Sequence, residues 1–138
     1  GLAAIRLGMA FADKQIIRYF NNIKPPYNVN NLTQELALEA LKHIDKKENI
    51  VKQIINERDK LLKSLVEFDF ITNIYPSDSN FILVKTTHAQ ELYDYLISKN
   101  IVVRNRSKLP LCDGCLRITV GTGEENKSLL QALKDFKC

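Results

Sequence analysis

The sequence contains no tryptophan, one methionine and two histidines, and its 138 residues include only five glycines and four prolines. Hydrophobic residues make up 45% and charged residues 26% of the chain, which excludes a collagen-like fibre and a disordered chain. No apolar run approaches the roughly 20 residues that a membrane helix needs. No basic start leads into an apolar stretch with a cleavage site, so we expect neither a membrane partner nor a secretory signal.

Cysteine is also scarce, and three cysteines without a secretory signal predict a reducing, cytoplasmic location rather than a disulfide framework. Cys112 and Cys115 have CxxC spacing, which is typical of half a zinc site or of a redox pair. Zinc needs two more ligands, and neither His43 nor His88 belongs to a second paired motif. A thioredoxin-type pair opens a helix, whereas Cys115 leads into a strand-like run. We therefore predict no metal and no redox role for the pair.

Acidic residues are outnumbered, since 20 lysines and arginines against 16 aspartates and glutamates give a formal net charge of +4. Arg104, Arg106, Lys108 and Arg117 lie close in sequence with only Asp113 among them. Such a cluster fits a phosphorylated metabolite, a carboxylate or a solvated surface. Nucleic acid is disfavoured because the sequence has no basic stripe with interleaved aromatic residues. HExxH, GxSxG and Walker motifs are absent as well.

The hydrophobic pattern of the first half predicts one strand and three helices. Residues 2–11 are apolar and mostly small, which is typical of a strand buried on both faces. Asp13 can cap a helix that runs to about Asn22, and apolar periodicity predicts helices over 31–44 and 48–67. A helix as long as the last, about 30 Å, often crosses between two domains. A coiled-coil arm is the alternative, although the apolar repeat lasts too few heptads to favour it.

The pattern of the second half is that of a small α+β domain. Two capping-box spacings, at residues 87–90 and 122–125, predict the starts of two helices. Runs of apolar residues bounded by turn residues predict strands over 71–75, 81–85, 101–103 and 116–120. The resulting order, β-β-α-β-β-α, predicts a sheet with helices on one face.

Arg117 lies inside an otherwise apolar strand. Period-2 alternation places it with Thr119 on the face opposite the neighbouring leucine and isoleucine. A guanidinium keeps its proton and is costly to bury unpaired, so Arg117 either faces water, forms an internal salt bridge or binds a carboxylate or phosphate. Arg104 and Arg6 raise the same question, and spacing alone leaves these alternatives open.

Five runs in this order carry a resemblance to a known family. They are Gly1-Leu2-Ala3-Ala4-Ile5-Arg6-Leu7-Gly8, Lys24-Pro25-Pro26-Tyr27-Asn28-Val29-Asn30, Tyr75-Pro76-Ser77-Asp78-Ser79-Asn80-Phe81, Val102-Val103-Arg104-Asn105-Arg106-Ser107 and Cys115-Leu116-Arg117-Ile118-Thr119-Val120-Gly121-Thr122. Together they resemble the C-terminal part of the histidinol-phosphate aminotransferases, which are pyridoxal-phosphate enzymes of the aspartate-aminotransferase-like class. The first and last runs are shared with wider relatives such as threonine-phosphate decarboxylases.

The resemblance implies an α/β fold, namely the C-terminal part of a PLP-dependent transferase fold. In that fold, a long linking helix leads to a small α+β domain whose sheet is covered by helices. It implies that residues 1–30 are the tail of the large cofactor-binding domain, 31–69 the linking helices and 70–138 the small C-terminal domain. It also implies a homodimeric, cytoplasmic parent enzyme.

The resemblance also assigns roles to three arginines. Arg6 matches the residue that holds the phosphate of the pyridoxal 5'-phosphate cofactor, Arg117 the one that grips the substrate α-carboxylate, and Arg104 a position near the substrate phosphate. The implied reaction moves an amino group between glutamate, which becomes 2-oxoglutarate, and imidazole-acetol phosphate, which becomes histidinol phosphate. Arginine suits such ligands because its forked donors match the oxygens of carboxylate and phosphate.

In this family the Schiff-base lysine precedes the Gly-Leu-Ala run, so we expect it upstream of Gly1 and assign no catalytic residue here. The 138 residues alone are then predicted to be a fragment without transaminase activity. A different reading of the residues is a free-standing small α+β module that binds an anionic metabolite. A module of that kind is not expected to expose the apolar side chains of residues 2–9 on an unpaired strand.

Overall fold

The computed structural model describes residues 2–137, which fall into two compact units divided between Glu48 and Asn49. Residues 1 and 138 lie outside the described part of the chain. The predicted start of the cofactor-domain tail, at Gly1, therefore lies outside it as well. Each unit is described by itself. Within residues 2–137, no helix combines the length and the apolar character that crossing a membrane requires.

The first unit is helical. It contains a 3₁₀ helix at Ala3–Ile5, α1 at Lys14–Ile23, α2 at Asn31–Leu41 and the start of α3, which spans Ile44–Leu65. The prediction that Asp13 caps the first helix is confirmed, because its side chain accepts a hydrogen bond from the Gln15 N–H at 2.8 Å. Side-chain oxygens at this position satisfy donors that the first helical turn leaves free.

The strand predicted over 2–11 is wrong. The segment forms the 3₁₀ helix and then irregular backbone, and Arg6 has a left-handed φ of 55° that interrupts any extended run. A strand is stable only where a second strand completes its hydrogen bonds. The sheet that the structure describes consists entirely of strands from the second unit, so an apolar composition at residues 2–11 was not sufficient to form one.

The second unit contains a four-stranded antiparallel sheet in the order β1-β2-β4-β3. Its elements are β1 (Ile71–Ile74), β2 (Phe81–Thr86), α4 (Ala89–Ser98), β3 (Arg104–Asn105), β4 (Cys115–Thr119) and α5 (Gly123–Asp135). The predicted order β-β-α-β-β-α is confirmed. β2 and β4, which are distant in sequence, pair from Phe81 opposite Thr119 to Lys85 opposite Cys115, with Leu83 opposite Arg117.

The core of this unit lies on one face of the sheet. Alternate residues of β2 and β4 are buried there against leucines of α3, α4 and α5, and this confirms the predicted covering of one face by helices. The residues concerned are Leu61, Leu65, Ile82, Val84, Leu92, Leu96, Leu116, Ile118, Leu129 and Leu133. Full burial of one such side chain contributes about 1.5–3 kcal/mol to folding. On the opposite face, the side chains along the middle of the strands are half-buried or exposed, whereas Cys115 at the start of β4 is buried.

The two predicted capping boxes have different outcomes. At α5 the box is confirmed, since the Thr122 hydroxyl accepts from the Glu125 N–H and the Glu125 carboxylate accepts from the Thr122 N–H. At α4 it is wrong, because the helix follows His88 and no side chain caps it. The Thr87 N–H instead donates to the Phe70 carbonyl at 3.2 Å, which holds that residue in a tertiary contact.

The strand predicted over 101–103 is also wrong in position, because β3 is the pair Arg104–Asn105. The Ile101 N–H donates to the Leu96 carbonyl at 2.9 Å and so completes the end of α4. A backbone donor used at a helix end is not available to a strand. The ladder with β4 therefore starts only at Arg104, opposite Arg117.

Candidate anion-binding site

The open face of the sheet brings two of the predicted arginines together. Arg117 lies in β4, an interior strand, with Leu83 of β2 opposite it on one side and Arg104 of β3 on the other. Directly opposed residues of antiparallel strands carry their side chains on the same face, a few ångströms apart. The predicted alternation is confirmed, because the residues before and after Arg117 are buried in the core while Arg117 itself is only half-buried.

The Arg117 guanidinium has an aromatic neighbour but, among residues 2–137, no hydrogen-bonding or acidic partner. Its guanidinium carbon lies 4.9 Å from the centroid of the Phe81 ring. Its Nε is buried and has no hydrogen-bond partner, and within residues 2–137 its side chain forms no salt bridge. The internal salt bridge considered for this residue is therefore absent from the part of the chain that is described. A buried donor without a partner is costly, which favours a ligand that supplies the acceptor.

The charges around Arg117 all have the same sign. Burial lowers the pKa of Arg117 below its ordinary value, and the nearby guanidinium groups of Arg106 and Arg104 lower it further. An arginine nevertheless keeps its proton at any physiological pH, so this part of the sheet concentrates positive charge. An anion with two or more oxygens would relieve the repulsion and supply acceptors for the free donors.

The segment after β3 is held in place by its backbone and by Asn105. The Arg106 N–H donates to the Cys115 carbonyl at 2.8 Å, and the Asn105 amide donates to Gln90 Oε1 of α4 at 3.0 Å. The Ser107 Oγ is buried without a partner. A cavity of about 390 Å³ lies beside this segment, lined by Gln90, Tyr93 and residues 103–108. Arg104 is exposed and Arg106 is half-buried, so both are available near Arg117.

Arg6 lies in the first unit and is exposed at the end of the 3₁₀ helix, where its N–H donates to the Ala3 carbonyl at 3.2 Å. The 3₁₀ helix contacts α2 just before Arg6, because the Thr33 hydroxyl donates to the Ile5 carbonyl at 3.3 Å. Arg6 forms no ion pair with any described residue. Its charge and exposure fit a phosphate ligand, and its role stays a prediction.

Cys112 and Cys115 are free thiols. Gly114, with φ of 70°, makes the turn between them, and the Cys115 N–H donates to the Cys112 carbonyl at 2.9 Å as β4 begins. Burial raises the pKa of the Cys115 thiol, which disfavours the thiolate that redox chemistry and metal binding need. Among residues 2–137, no group of three or more metal-ligating side chains comes together.

Sequence reasoning missed Phe81 and Ser107 as members of this site. Phe81 was placed in a predicted strand, but the pairing of that strand with β4 is a long-range contact that the pattern does not contain. In the sequence, Ser107 is simply the last residue of a run that contains Arg104 and Arg106. The sole signal for Phe81 was its period-2 position, which puts it on the same face of β2 as Leu83.

The family model for aminotransferase class I and II matches residues 1–133 of this chain. The chain belongs to that family. It is 51% identical over 136 residues to the histidinol-phosphate aminotransferase of Cytophaga hutchinsonii, covering 99% of this chain and 39% of that protein. It is 53% identical over 137 residues to the enzyme of the same name from Parabacteroides distasonis, covering 99% of this chain and 40% of that protein. The chain thus spans about two-fifths of the length of these relatives.

Solved structures of two aminotransferases and of a decarboxylase share the fold of this chain. The histidinol-phosphate aminotransferase of Clostridium acetobutylicum matches with a TM-score of 0.81 and 26% identity, covering 89% of this chain and 38% of that one. A decarboxylase from Sulfurospirillum multivorans matches with a TM-score of 0.83 and 27% identity, covering 98% of this chain and 40% of that one. The Sinorhizobium meliloti histidinol-phosphate aminotransferase, solved with pyridoxal-5'-phosphate, has a TM-score of 0.83 at 24% identity, with 98% and 37% covered, and shows the fold alone. The predicted resemblance and fold class are both confirmed.

Proposed function

We propose that this chain is part of a histidinol-phosphate aminotransferase, which moves an amino group between glutamate and imidazole-acetol phosphate in histidine biosynthesis. Relatives of that name are about half identical to the chain over nearly all of its residues. The observation that carries the proposal is Arg117, whose buried, unpartnered Nε faces no acidic residue within the described part of the chain. The reaction needs such a group because both of its substrates are anions.

The cofactor of this proposed enzyme is pyridoxal 5'-phosphate, which supplies an electron sink for amino-group transfer when it is bound. Arg6 fits the cofactor phosphate because it is exposed, charged and without an ion pair among residues 2–137. We assign no catalytic lysine to the chain, since none of its lysines has the sequence context that the family resemblance requires. The proposed boundaries are 1–30 for the cofactor-domain tail, 31–69 for the linking helices and 70–138 for the small domain.

Arg117 and Arg104 have complementary tasks in this proposal. The half-buried Arg117 would bind the α-carboxylate of glutamate through two parallel N–H···O bonds, and the exposed Arg104 would bind the phosphate of histidinol phosphate. Holding an anionic group at a fixed place on a rigid strand orients the rest of the substrate. Since the two residues oppose each other across β3 and β4, substrates with either anion can be accommodated on the same face.

The test is a direct assay of the full-length protein that contains these residues, loaded with the cofactor and purified as the homodimer that we propose. We expect glutamate-dependent conversion of imidazole-acetol phosphate to histidinol phosphate. Threonine phosphate, offered in parallel, should not release carbon dioxide. Decarboxylation of threonine phosphate without amino transfer would contradict the proposal and assign the chain to the decarboxylase branch of its relatives.

A further inference from the structure

The orientation of the Arg117 guanidinium is set by an aromatic ring. A carboxylate or a carbonyl can orient a guanidinium through hydrogen bonds, as at Arg58, whose Nη1 donates to the Ser79 carbonyl at 3.1 Å. Arg117 has no such bond to any residue of 2–137. Its guanidinium instead lies over the Phe81 ring, with 4.9 Å between the guanidinium carbon and the ring centroid.

Phe81 is itself firmly placed at the start of β2. Its carbonyl accepts a hydrogen bond from the Ser77 hydroxyl at 2.6 Å, and its neighbour Asn80 accepts one from the Val120 N–H at 2.9 Å. Phe81 also lies directly opposite Thr119, two residues along β4 from Arg117. The ring is half-buried on the open face, and the pairing with β4 fixes the backbone from which it projects.

An aromatic ring anchors a cation without using its donors. The negative face of the ring attracts the guanidinium as a whole, while a carboxylate anchor would occupy two of its N–H groups. At Arg117 the N–H groups are needed for the incoming anion. An acidic anchor would also neutralise the charge that attracts this anion. The Phe81 ring therefore orients the Arg117 guanidinium and leaves its charge and its N–H donors free to bind an anion.

We infer that Phe81 is the positioning residue for Arg117, stacking under its guanidinium so that the forked donors face the substrate carboxylate. This inference rests on the proposed function only for the identity of the ligand. A cation–π contact of a partly desolvated group corresponds to about a 3- to 30-fold effect on affinity. Loss of the ring should thus weaken anion binding by that factor and leave the later chemical steps nearly unchanged.

The test compares Phe81→Leu, which removes the ring, with Phe81→Tyr, which keeps it, in the full-length protein. The matched control is Phe68→Leu, which removes an aromatic ring whose neighbour is Phe70 rather than an arginine. Selective ¹⁵N labelling of arginine side chains reports the ring-current shift of the Arg117 Nε–H resonance. Titration with glutarate, an unreactive dicarboxylate, gives the Kd, and steady-state kinetics give the KM for glutamate and kcat.

We expect the shifted Arg117 resonance in the wild type, in Phe81→Tyr and in the control, and its loss in Phe81→Leu. Only Phe81→Leu should raise the glutarate Kd and the KM for glutamate by about 3- to 30-fold, with kcat within about twofold of wild type. An unchanged Kd in Phe81→Leu, or equal weakening in Phe81→Tyr or Phe68→Leu, would overturn the inference. If Arg117→Ala leaves the Kd unchanged, the proposed function of Arg117 fails. The Arg117 resonance in wild type and in Phe81→Leu reports independently whether the ring contacts the guanidinium.

Discussion

The two units of the chain differ in where their apolar side chains lie. No residue from 2 to 48 is buried, and Phe11 in that unit is 91% exposed. In the second unit Leu65, Ile82 and Leu116 are completely buried in a core formed by a sheet and three helices. Apolar periodicity therefore predicts a helix in both units, whereas burial of its apolar face depends on packing partners that only the second unit supplies for itself.

The largest expected effect is on stability, and it contrasts one leucine from each unit. Leu116→Ala should lower the free energy of unfolding by about 2–5 kcal/mol, because Leu116 is fully buried in β4 and a cavity would remain. Leu36→Ala in α2 should change it by less than about 0.5 kcal/mol, because Leu36 is already 45% exposed. Urea denaturation of each variant measures both values. Equal losses in the two variants would contradict the contrast between the units.

A smaller effect is expected at the start of α5. Thr122→Ala should cost about 0.5–2 kcal/mol, because it removes the hydroxyl that accepts from the Glu125 N–H at 3.3 Å. Thr87→Ala is the matched control. Because no side chain caps α4, removing the Thr87 hydroxyl should leave the free energy of unfolding nearly unchanged. The same denaturation experiment decides this, and a larger loss in Thr87→Ala would mean that the observed caps do not govern helix stability.

The smallest effect is the pH dependence of that same cap. Hydrogen bonds from the Thr122 backbone and side chain lower the pKa of Glu125 below its ordinary value of 4.5. A lowered pKa in the folded state stabilises the protein above the unfolded-state pKa, and this stabilisation disappears as the pH falls through the folded-state pKa. Wild type should therefore be slightly more stable than Glu125→Gln at pH 7, and the difference should shrink below pH 4.5. A difference that grows in acid would contradict the direction of the shift.

These contrasts also show what the sequence could predict. The cap at Thr122 is a local feature, and its residues and spacing were enough to predict it. The same spacing failed at Thr87, whose N–H bonds to the distant Phe70 carbonyl. The strand predicted over 2–11 failed for a related reason, since strand formation depends on a partner that composition does not reveal.

The candidate site likewise combines features that a local sequence pattern predicts with contacts that it does not. Alternation in β4 placed Arg117 on the open face correctly, because the period of a strand is local. The contact between Phe81 and Arg117 depends on the register between two strands that are far apart in sequence, so no local pattern contained it. The roles of Arg6, Arg104 and Arg117 are implied by the family resemblance. The charge and the forked donors of these arginines are consistent with those roles.

Arg117 on the open face is proposed to bind the carboxylate of the amino donor. The most direct test compares Arg117→Lys with the control Arg18→Lys on α1, in the full-length enzyme with glutamate as donor. Lysine keeps the charge but lacks the forked donors, so Arg117→Lys should lower kcat/KM for glutamate by about 10²–10³-fold while Arg18→Lys leaves it unchanged. Full activity in Arg117→Lys, or an equal loss of kcat/KM in both variants, would contradict carboxylate binding by Arg117.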